Sequence, residues 1–308
     1  MASQPTALTL RLEEAPKLQA GLATLADYWR LTKPEVNLLI LITTLGGFCL
    51  GLPSPIQRFP VALLINTLLG TLLVASGTGT LNQFLERTFD AEMRRTARRP
   101  IASGRIAASS AFWFGIVLSC VGCLYLFVAA NALASLLALV TLLAYLFFYT
   151  PLKRRTPLCT LVGALPGAMP PLIGWAAAAG SLNLEAWSLY AILFLWQFPH
   201  FMAIAWMYRE DYLRAGYLVL PRGETRSKVM ALQSVLPCLF LLPASLVPLF
   251  LTHSNFLYWV ANLLLTLAFL FCAARLASQQ SNLMARRLLS ASIIYLPLVF
   301  CVTLLGRL

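Results

Sequence analysis

The sequence predicts an all-α integral membrane protein with nine transmembrane helices, and three observations support this prediction. Apolar residues make up 59% of the 308 positions, and charged residues make up only 11%. The apolar residues also occur in long blocks. Since a soluble domain carries about a quarter charged residues, this chain has too few of them to cover a soluble surface. A membrane β-barrel is not favoured, because it needs alternating segments of about ten residues.

Nine apolar blocks are each about as long as the roughly 20 residues that cross a bilayer as a helix. They lie near 36–52, 61–85, 110–130, 132–150, 158–179, 187–208, 230–252, 255–274 and 288–306. Residues 1–30 are polar and mixed in charge, and no apolar core follows a basic start. We therefore expect no cleavable signal peptide, a polar cytoplasmic segment over 1–30 and one transmembrane domain over 31–308.

The distribution of Lys and Arg predicts the orientation. With nine spans, the N-terminal segment and the loops after spans two, four, six and eight share one side, which holds 21 of the 23 Lys and Arg residues. Only Arg58 and Arg307 lie on the other side. Because cytoplasmic loops are enriched in Lys and Arg, we expect a cytoplasmic N-terminus. The net charge of +12 therefore reflects topology, and we expect no nucleic-acid partner.

Acidic residues crowd the same side, with Glu185 as the exception, although acids do not follow the topology rule. Asn82, Glu86 and Asp90 are spaced four apart, so they drift only about 80° around a helix while rising about 12 Å. One helical face would present an amide and two carboxylates in a column. Taken alone, this spacing is also typical of a solvated helix with ion pairs four residues apart.

Two further stretches carry charge at the same membrane face. Residues 149–157 end the fourth span with three consecutive cations, and residues 196–221 contain His200 followed by Glu210 and Asp211. Alone, the cations would be ordinary loop charge and the histidine an ordinary buried residue. Together with the acidic column they favour a diphosphate held through Mg²⁺. That ion takes carboxylates, waters and phosphates as ligands, while Arg and Lys bind the remaining phosphate oxygens.

At these residues the sequence resembles the UbiA superfamily of intramembrane prenyltransferases. Three segments carry the resemblance: Asn82-x-x-x-Glu86-x-x-x-Asp90 with the following Arg95–Pro100 run, Tyr149-x-x-x-Lys153-Arg154, and Glu210-Asp211. Four other stretches resemble the branch of the superfamily that farnesylates protohaem IX: 31–34, 162–175, 196–201 and 211–221. Quinone-making relatives share the acidic motifs but not the Trp-Gln-x-Pro-His stretch, which ends here at His200.

The resemblance implies a nine-helix bundle around a central cavity. It also implies a reaction of farnesyl diphosphate with protohaem IX that gives haem O and diphosphate, with Mg²⁺ as cofactor. The implied catalytic residues are Asn82, Glu86, Asp90 and Asp211, and these four together with Glu210 are the implied metal ligands. The implied diphosphate-binding residues are Lys33, Arg95, Arg99, Lys153 and Arg154, while His200 is assigned to haem. The implied partners are the two substrates, the lipid bilayer, and haem A synthase or terminal-oxidase assembly factors.

Three positions depart from the family pattern. Glu86 stands where aspartate is common, although its longer carboxylate can still bind a metal. The second acidic motif lacks a D-x-x-x-D spacing, which leaves the ligands of a second metal open. Cys159 stands where asparagine is usual.

Three alternative functions remain open at this level. A prenyltransferase that acts on a quinone precursor or another aromatic acceptor would share the acidic motifs. A transporter would place Asn82, Asp90 and Asp211 along an ion path, but transporters tend to hold ionisable groups near the midplane, and these residues lie at one face. A purely structural assembly protein is the least favoured, since it gives no reason for paired acidic motifs.

Overall fold

The computed structural model describes residues 24–53, 58–220 and 225–307, and within them it confirms the prediction of nine membrane-spanning helices. The described residues contain no strand. The nine helices are α1 (Pro34–Gly51), α2 (Val61–Glu92), α3 (Ala108–Ala129), α4 (Ala132–Leu152), α5 (Cys159–Ala179), α6 (Leu184–Met207), α7 (Thr225–Leu251), α8 (Phe256–Gln279) and α9 (Asn282–Arg307). A short helix, Arg209–Arg214, follows α6.

Several helices extend beyond the apolar blocks. Helix α2 continues to Glu92 instead of ending near 85, and α9 begins at Asn282 instead of near 288. Hydropathy marks only the part of a helix that lies in lipid, whereas polar helix formers such as Gln, Glu and Arg continue the backbone hydrogen bonds into the interface. The extension of α2 matters because it holds the whole acidic column on one unbroken helix.

Two spans depart from regular α-helix near the charged face. Helix α4 has a π-helical segment over Ala144–Tyr149, followed by one α-helical turn over Thr150–Leu152 that contains Pro151. Helix α5 consists of two halves, Cys159–Gly167 and Pro170–Ala179. Proline has no backbone N–H to continue a helical ladder, so Pro170 begins a new helix.

Successive helices pack against one another, and α9 also contacts α1, which closes the bundle. The tightest approach joins α1 to the second half of α5. A Cβ atom at Gly47 would lie 2.1 Å from the Pro171 carbonyl oxygen, and one at Gly174 would lie 2.0 Å from the Thr44 carbonyl oxygen. Small residues let membrane helices approach closely where lipid offers no hydrophobic driving force. Glycine is therefore required at both positions.

The sparsely charged face is held by one ion pair. Glu185, the single acid on that side, accepts a hydrogen bond of 2.9 Å from Arg307. Arg307 also donates to the carbonyl oxygens of Leu50 and Leu52. Arg307 therefore ties the end of α9 to the end of α1 and the start of α6. Apart from Arg58, the other Lys, Arg, Asp and Glu residues belong to the segments assigned to the opposite face, where the candidate site lies.

The predicted N-terminal segment packs onto the bundle from residue 24 onwards; its residues 1–23 lie outside the described part. Residues 24–31 are helical, and Leu31 is fully buried. The Leu31 carbonyl oxygen accepts a hydrogen bond of 3.0 Å from Gln83 Nε2 on α2. Asp27 is paired with Arg105 at 2.8 Å. These contacts bring the next residues of the chain against α2, directly beside the acidic column.

Candidate functional site

The acidic column on α2 faces into the protein. Asn82, Glu86 and Asp90 are 1%, 5% and 1% exposed. A solvated surface helix would expose them, so the alternative interpretation of this spacing does not describe the structure. Buried carboxylates need partners, because an isolated charge in a medium of low dielectric is costly.

Each polar group of the column receives a cation from a different segment. The three pairs are Lys33 Nζ with Asn82 Oδ1 (2.6 Å), Lys153 Nζ with Glu86 Oε1 (2.7 Å), and Arg99 Nη1 with Asp90 Oδ2 (2.7 Å). The column thus gathers the segment before α1, the loop after α4 and the loop after α2. Three of the five predicted diphosphate-binding residues thus place their basic side chains directly against the predicted metal ligands of the column.

The two lysines differ in how firmly they hold a proton. Lys33 adopts the left-handed backbone conformation, with φ of 56°. Burial, reinforced by the Arg99 charge, lowers the pKa of Lys33 to about 7. Burial acts in the same direction on Lys153, but the Glu86 carboxylate and the surrounding tyrosines together outweigh it and raise the pKa of Lys153 well above its ordinary value. Lys153 is therefore protonated near neutral pH. Lys33 has too little negative charge around it to offset its burial, so it loses its proton more easily.

Asp211 is joined to the column through the loop that follows α2. Its carboxylate accepts a hydrogen bond of 3.2 Å from the Arg95 backbone N–H and another from Arg214. The same loop donates from Thr96 Oγ1 to the Asp90 carbonyl oxygen at 2.9 Å. Burial would raise the pKa of Asp211, but the hydrogen bonds from Arg95 and Arg214 lower it. Asp211 is therefore anionic near neutral pH.

Glu210 stands apart from these residues. Its side chain is 78% exposed and lies 4.0 Å from Arg209. Adjacent residues of a helix point about 100° apart, so Glu210 and Asp211 face different directions. The assignment of Glu210 as a metal ligand stays a prediction.

The remaining two predicted diphosphate-binding residues stack on aromatic rings. The guanidinium of Arg95 lies 4.7 Å from the centre of the Tyr208 ring, and that of Arg154 lies 4.0 Å from the centre of the Phe89 ring. Stacking of this kind holds a guanidinium without using all of its N–H donors. Both side chains therefore keep donors for an anion.

A cavity of about 520 Å³ opens between α2 and α4 beside the column. Its lining includes Glu86, Phe89, Leu146, Thr150, Arg154 and Tyr217. The lining thus combines charged and polar side chains with apolar ones. A ligand that combines an anionic head with an apolar chain matches such a lining.

His200 lies on α6, where its ring stacks on Trp196 with the ring centres 4.6 Å apart. Its Nδ1 atom is 2.7 Å from Ser292 Oγ on α9. The Ser292 hydroxyl donates its proton to the Leu289 carbonyl oxygen at 2.6 Å. A serine has a single hydroxyl proton, so it accepts from His200, and Nδ1 carries the imidazole proton. This assignment leaves Nε2 with a free lone pair, as a metal ligand requires.

The oxygens of the column have the chemistry that magnesium needs. Among residues 24–53, 58–220 and 225–307, no group of three or more His, Cys, Asp or Glu side chains could by itself hold a metal ion. Mg²⁺ does not require such a cage, because it is usually bound by one or two carboxylates together with waters and substrate phosphates. Glu86, Asp90 and the Asn82 amide fit that requirement. The cations now bound to them fit the phosphates.

Three residues of the site were not predicted from the sequence, because no local sequence pattern marks them as site residues. Thr150 receives a hydrogen bond of 3.3 Å from Asn82, and Ser292 binds His200. Tyr217 lines the cavity, and it follows Gly216, whose positive φ turns the chain after the short helix. Nothing in the structure explains why Cys159 stands where asparagine is usual.

Comparison with known proteins gives a consistent result. The sequence profile of the UbiA prenyltransferase family matches residues 40–296. The chain is 48% identical to a protoheme IX farnesyltransferase of Solibacter usitatus, with 91% of this chain and 98% of the relative covered. It is 42% identical to a protoheme IX farnesyltransferase of Koribacter versatilis, with 93% and 95% covered.

Solved structures share the fold at lower identity. A digeranylgeranylglyceryl phosphate synthase aligns with a TM-score of 0.71 at 17% identity, covering 92% of this chain and 98% of that one. A UbiA homologue from Archaeoglobus fulgidus bound to GPP and Mg²⁺ aligns with a TM-score of 0.60 at 16% identity, covering 90% and 99%. At these identities the likeness concerns the fold alone.

Proposed function

Since this chain belongs to the UbiA prenyltransferase family, we propose that it transfers the farnesyl group of farnesyl diphosphate to protohaem IX, giving haem O and diphosphate. The family resemblance predicted from the sequence is thereby confirmed. One observation carries the chemical step: a buried column of oxygen ligands, each paired with a cation, borders a cavity that is part charged and part apolar. The relatives named protoheme IX farnesyltransferase support the choice of haem as acceptor.

We propose Mg²⁺ as the cofactor, held by Asn82, Glu86 and Asp90, with Asp211 as a further ligand. A family member of known structure binds GPP together with Mg²⁺, which supports a divalent ion in this fold. When bound, the ion supplies positive charge that stabilises the departing diphosphate.

The basic residues of the site then bind the diphosphate itself. With a metal held by the carboxylates, Lys33, Lys153 and Arg99 would be free to bind phosphate oxygens, and Arg95 and Arg154 would add further donors. The two ion pairs, Lys153 with Glu86 and Arg99 with Asp90, would each be replaced by new opposite-charge contacts, so no buried charge would be left alone. The pKa of Lys33 is lowered in this structure, so Lys33 would become fully protonated when the anionic diphosphate binds beside it.

The reaction follows from this arrangement. The bond between the first farnesyl carbon and the diphosphate oxygen breaks, and its electron pair leaves with the diphosphate. The electron-rich vinyl group of the porphyrin attacks the farnesyl cation and forms the new carbon–carbon bond. Water adds to the resulting porphyrin cation and loses a proton, which completes the hydroxyethyl group. Preorganised cations around the diphosphate lower the barrier of the first step.

We propose that the apolar part of the cavity receives the farnesyl chain and that His200 contacts the haem. Leu146 forms part of the apolar wall beside Glu86, so a diphosphate at the column directs its chain into this space. The free Nε2 of His200 can ligate the haem iron, which here is part of the substrate. Imidazole is a common axial ligand of haem.

We further propose that the protein lies in the bacterial inner membrane with its N-terminus and site on the cytoplasmic side. Haem O is apolar and stays in the bilayer, so haem A synthase or a terminal-oxidase assembly factor would collect it there. The basis for the orientation is the 21-to-2 division of Lys and Arg.

Reporter fusions test the orientation. Lys228 lies in the first turn of α7, and Ser254 lies between α7 and α8. A reporter that works only in the cytoplasm should be active after Lys228 and inactive after Ser254, while a reporter that works only outside should show the reverse. External activity after Lys228 would contradict the orientation.

The product tests the function in cells. Haems extracted from cells that contain the protein should include a farnesylated hydroxyethyl haem by mass spectrometry, and cells without it should contain only protohaem. Unchanged haem, with a prenylated phenolic acid in its place, would instead identify an enzyme of the quinone-making type.

A further inference from the structure

Tyr217 lies at the site without a role in the pairs described above. Its side chain is only 4% exposed, and it lines the cavity together with Glu86 and Arg154. Lys153 Nζ lies 6.0 Å from the centre of its ring. Tyr217 therefore shares the cavity wall with charged residues of the candidate site.

The backbone holds Tyr217 in this position firmly. Gly216 adopts the left-handed conformation with φ of 67°, which reverses the chain after the short helix. The Tyr217 N–H donates to the Tyr212 carbonyl oxygen at 2.8 Å, and the Leu218 N–H donates to the Lys153 carbonyl oxygen at 2.8 Å. The backbone is thus held at Tyr217 and at the residue that follows it. The second of these hydrogen bonds is made with the backbone of Lys153, the residue whose side chain binds Glu86.

The Tyr217 hydroxyl is buried and makes no hydrogen bond within the described part of the chain. Leaving a buried donor unsatisfied costs about 1–3 kcal/mol, and most buried polar atoms in proteins do have a partner. A tyrosine hydroxyl keeps its proton near neutral pH, so that of Tyr217 is available as a donor to an acceptor in the cavity.

We infer that Tyr217 is a further diphosphate-binding residue, whose hydroxyl donates a hydrogen bond to a phosphate oxygen of the prenyl diphosphate. The inference rests on the proposed function, which places that diphosphate beside Glu86 and Lys153. Glu86 lies close to this hydroxyl, but its Oε1 atom binds Lys153 at 2.7 Å, and neither of its carboxylate oxygens accepts a hydrogen bond from Tyr217. A phosphate oxygen supplies the acceptor that the hydroxyl lacks.

Tyr217→Phe tests this role, since it removes the hydroxyl and keeps the ring. Binding of inorganic diphosphate to the purified protein in the presence of Mg²⁺ should weaken roughly 10- to 100-fold, as expected for the loss of a hydrogen bond to a charged group. The KM for farnesyl diphosphate should rise accordingly, while the affinity for haem stays at the wild-type value. Tyr125→Phe is the matched control, because its hydroxyl binds Asn66 in the contact between α3 and α2; it should change neither affinity.

Two results would overturn the inference. One is wild-type affinity of Tyr217→Phe for Mg²⁺ with diphosphate. The other is an equal loss of haem and diphosphate affinity, which would identify a structural residue. Wild-type protein that binds diphosphate but leaves haem unmodified would contradict the proposed function instead, and the affinity ratio of the two proteins would still decide the role of Tyr217.

Discussion

Replacing Asp90 by alanine should lower the rate of haem O formation at least about 100-fold, with the protein still inserted in the membrane. Asp90 is 1% exposed and is held by Arg99. Its loss removes a metal ligand and leaves the charge of the departing diphosphate less stabilised, and removing one preorganised electrostatic group of this kind costs about 100- to 1,000-fold in rate. The measurement is product formation per mole of purified protein, at saturating concentrations of both substrates.

Asp27→Ala provides the control for this experiment. Asp27 is also a buried aspartate paired with an arginine, Arg105, but it lies on the segment before α1 and outside the column. It should lower stability without a comparable loss of turnover. Near-normal turnover by Asp90→Ala would remove the metal assignment from the column.

His200→Ala should separate the two substrates. We expect haem affinity to fall at least about tenfold and transfer to stop, because the Nε2 lone pair is lost. The affinity for farnesyl diphosphate should be retained, since every proposed phosphate ligand remains. Both affinities are measured on purified protein, the haem affinity from the shift of its absorption spectrum. An ordinary core histidine would instead affect stability and both substrates alike.

His253→Ala is the natural control, because His253 is the only other histidine in the chain. It lies in the turn between α7 and α8, close to Ser254. Its substitution should leave the haem spectrum and both affinities unchanged. Equal losses for both substrates in His200→Ala, or no loss for either, would remove His200 from the haem site.

The fold was predictable from the sequence because the bilayer imposes a simple rule on it. Each span must be long and apolar, so nine blocks were enough to predict nine helices. The ends of the helices were less predictable, since Glu92 and Asn282 continue their helices beyond the apolar region. Hydropathy does not register a helix that enters the aqueous interface.

The site was only partly predictable. The four-residue spacing predicted that Asn82, Glu86 and Asp90 share a face, because that depends on helix geometry alone. For the basic residues that bind this column, the sequence predicted only that they lie on the same side of the membrane, and it did not predict which of them pairs with which oxygen. Lys33 and Lys153 meet the column through packing of segments 49 and 67 residues away in the chain, and no local pattern encodes such contacts.

Whether a residue near the end of a helix is buried was equally hard to predict from the sequence. Glu210 and Asp211 are adjacent in sequence, yet one is exposed and the other is bound by the loop after α2. The orientation of the short helix after α6 determines which of these two side chains faces the loop. The same holds for Tyr217, whose orientation follows from the turn at Gly216.

The most direct test of the central claim is a reaction with purified protein in a bilayer, supplied with farnesyl diphosphate, protohaem IX and Mg²⁺. We expect one diphosphate released for each haem O formed, as measured by phosphate assay and by mass spectrometry of the extracted haem. Chelation of the metal should stop both. Diphosphate release without any farnesylated haem, under conditions in which a phenolic acceptor is prenylated, would contradict the assignment of haem as the substrate.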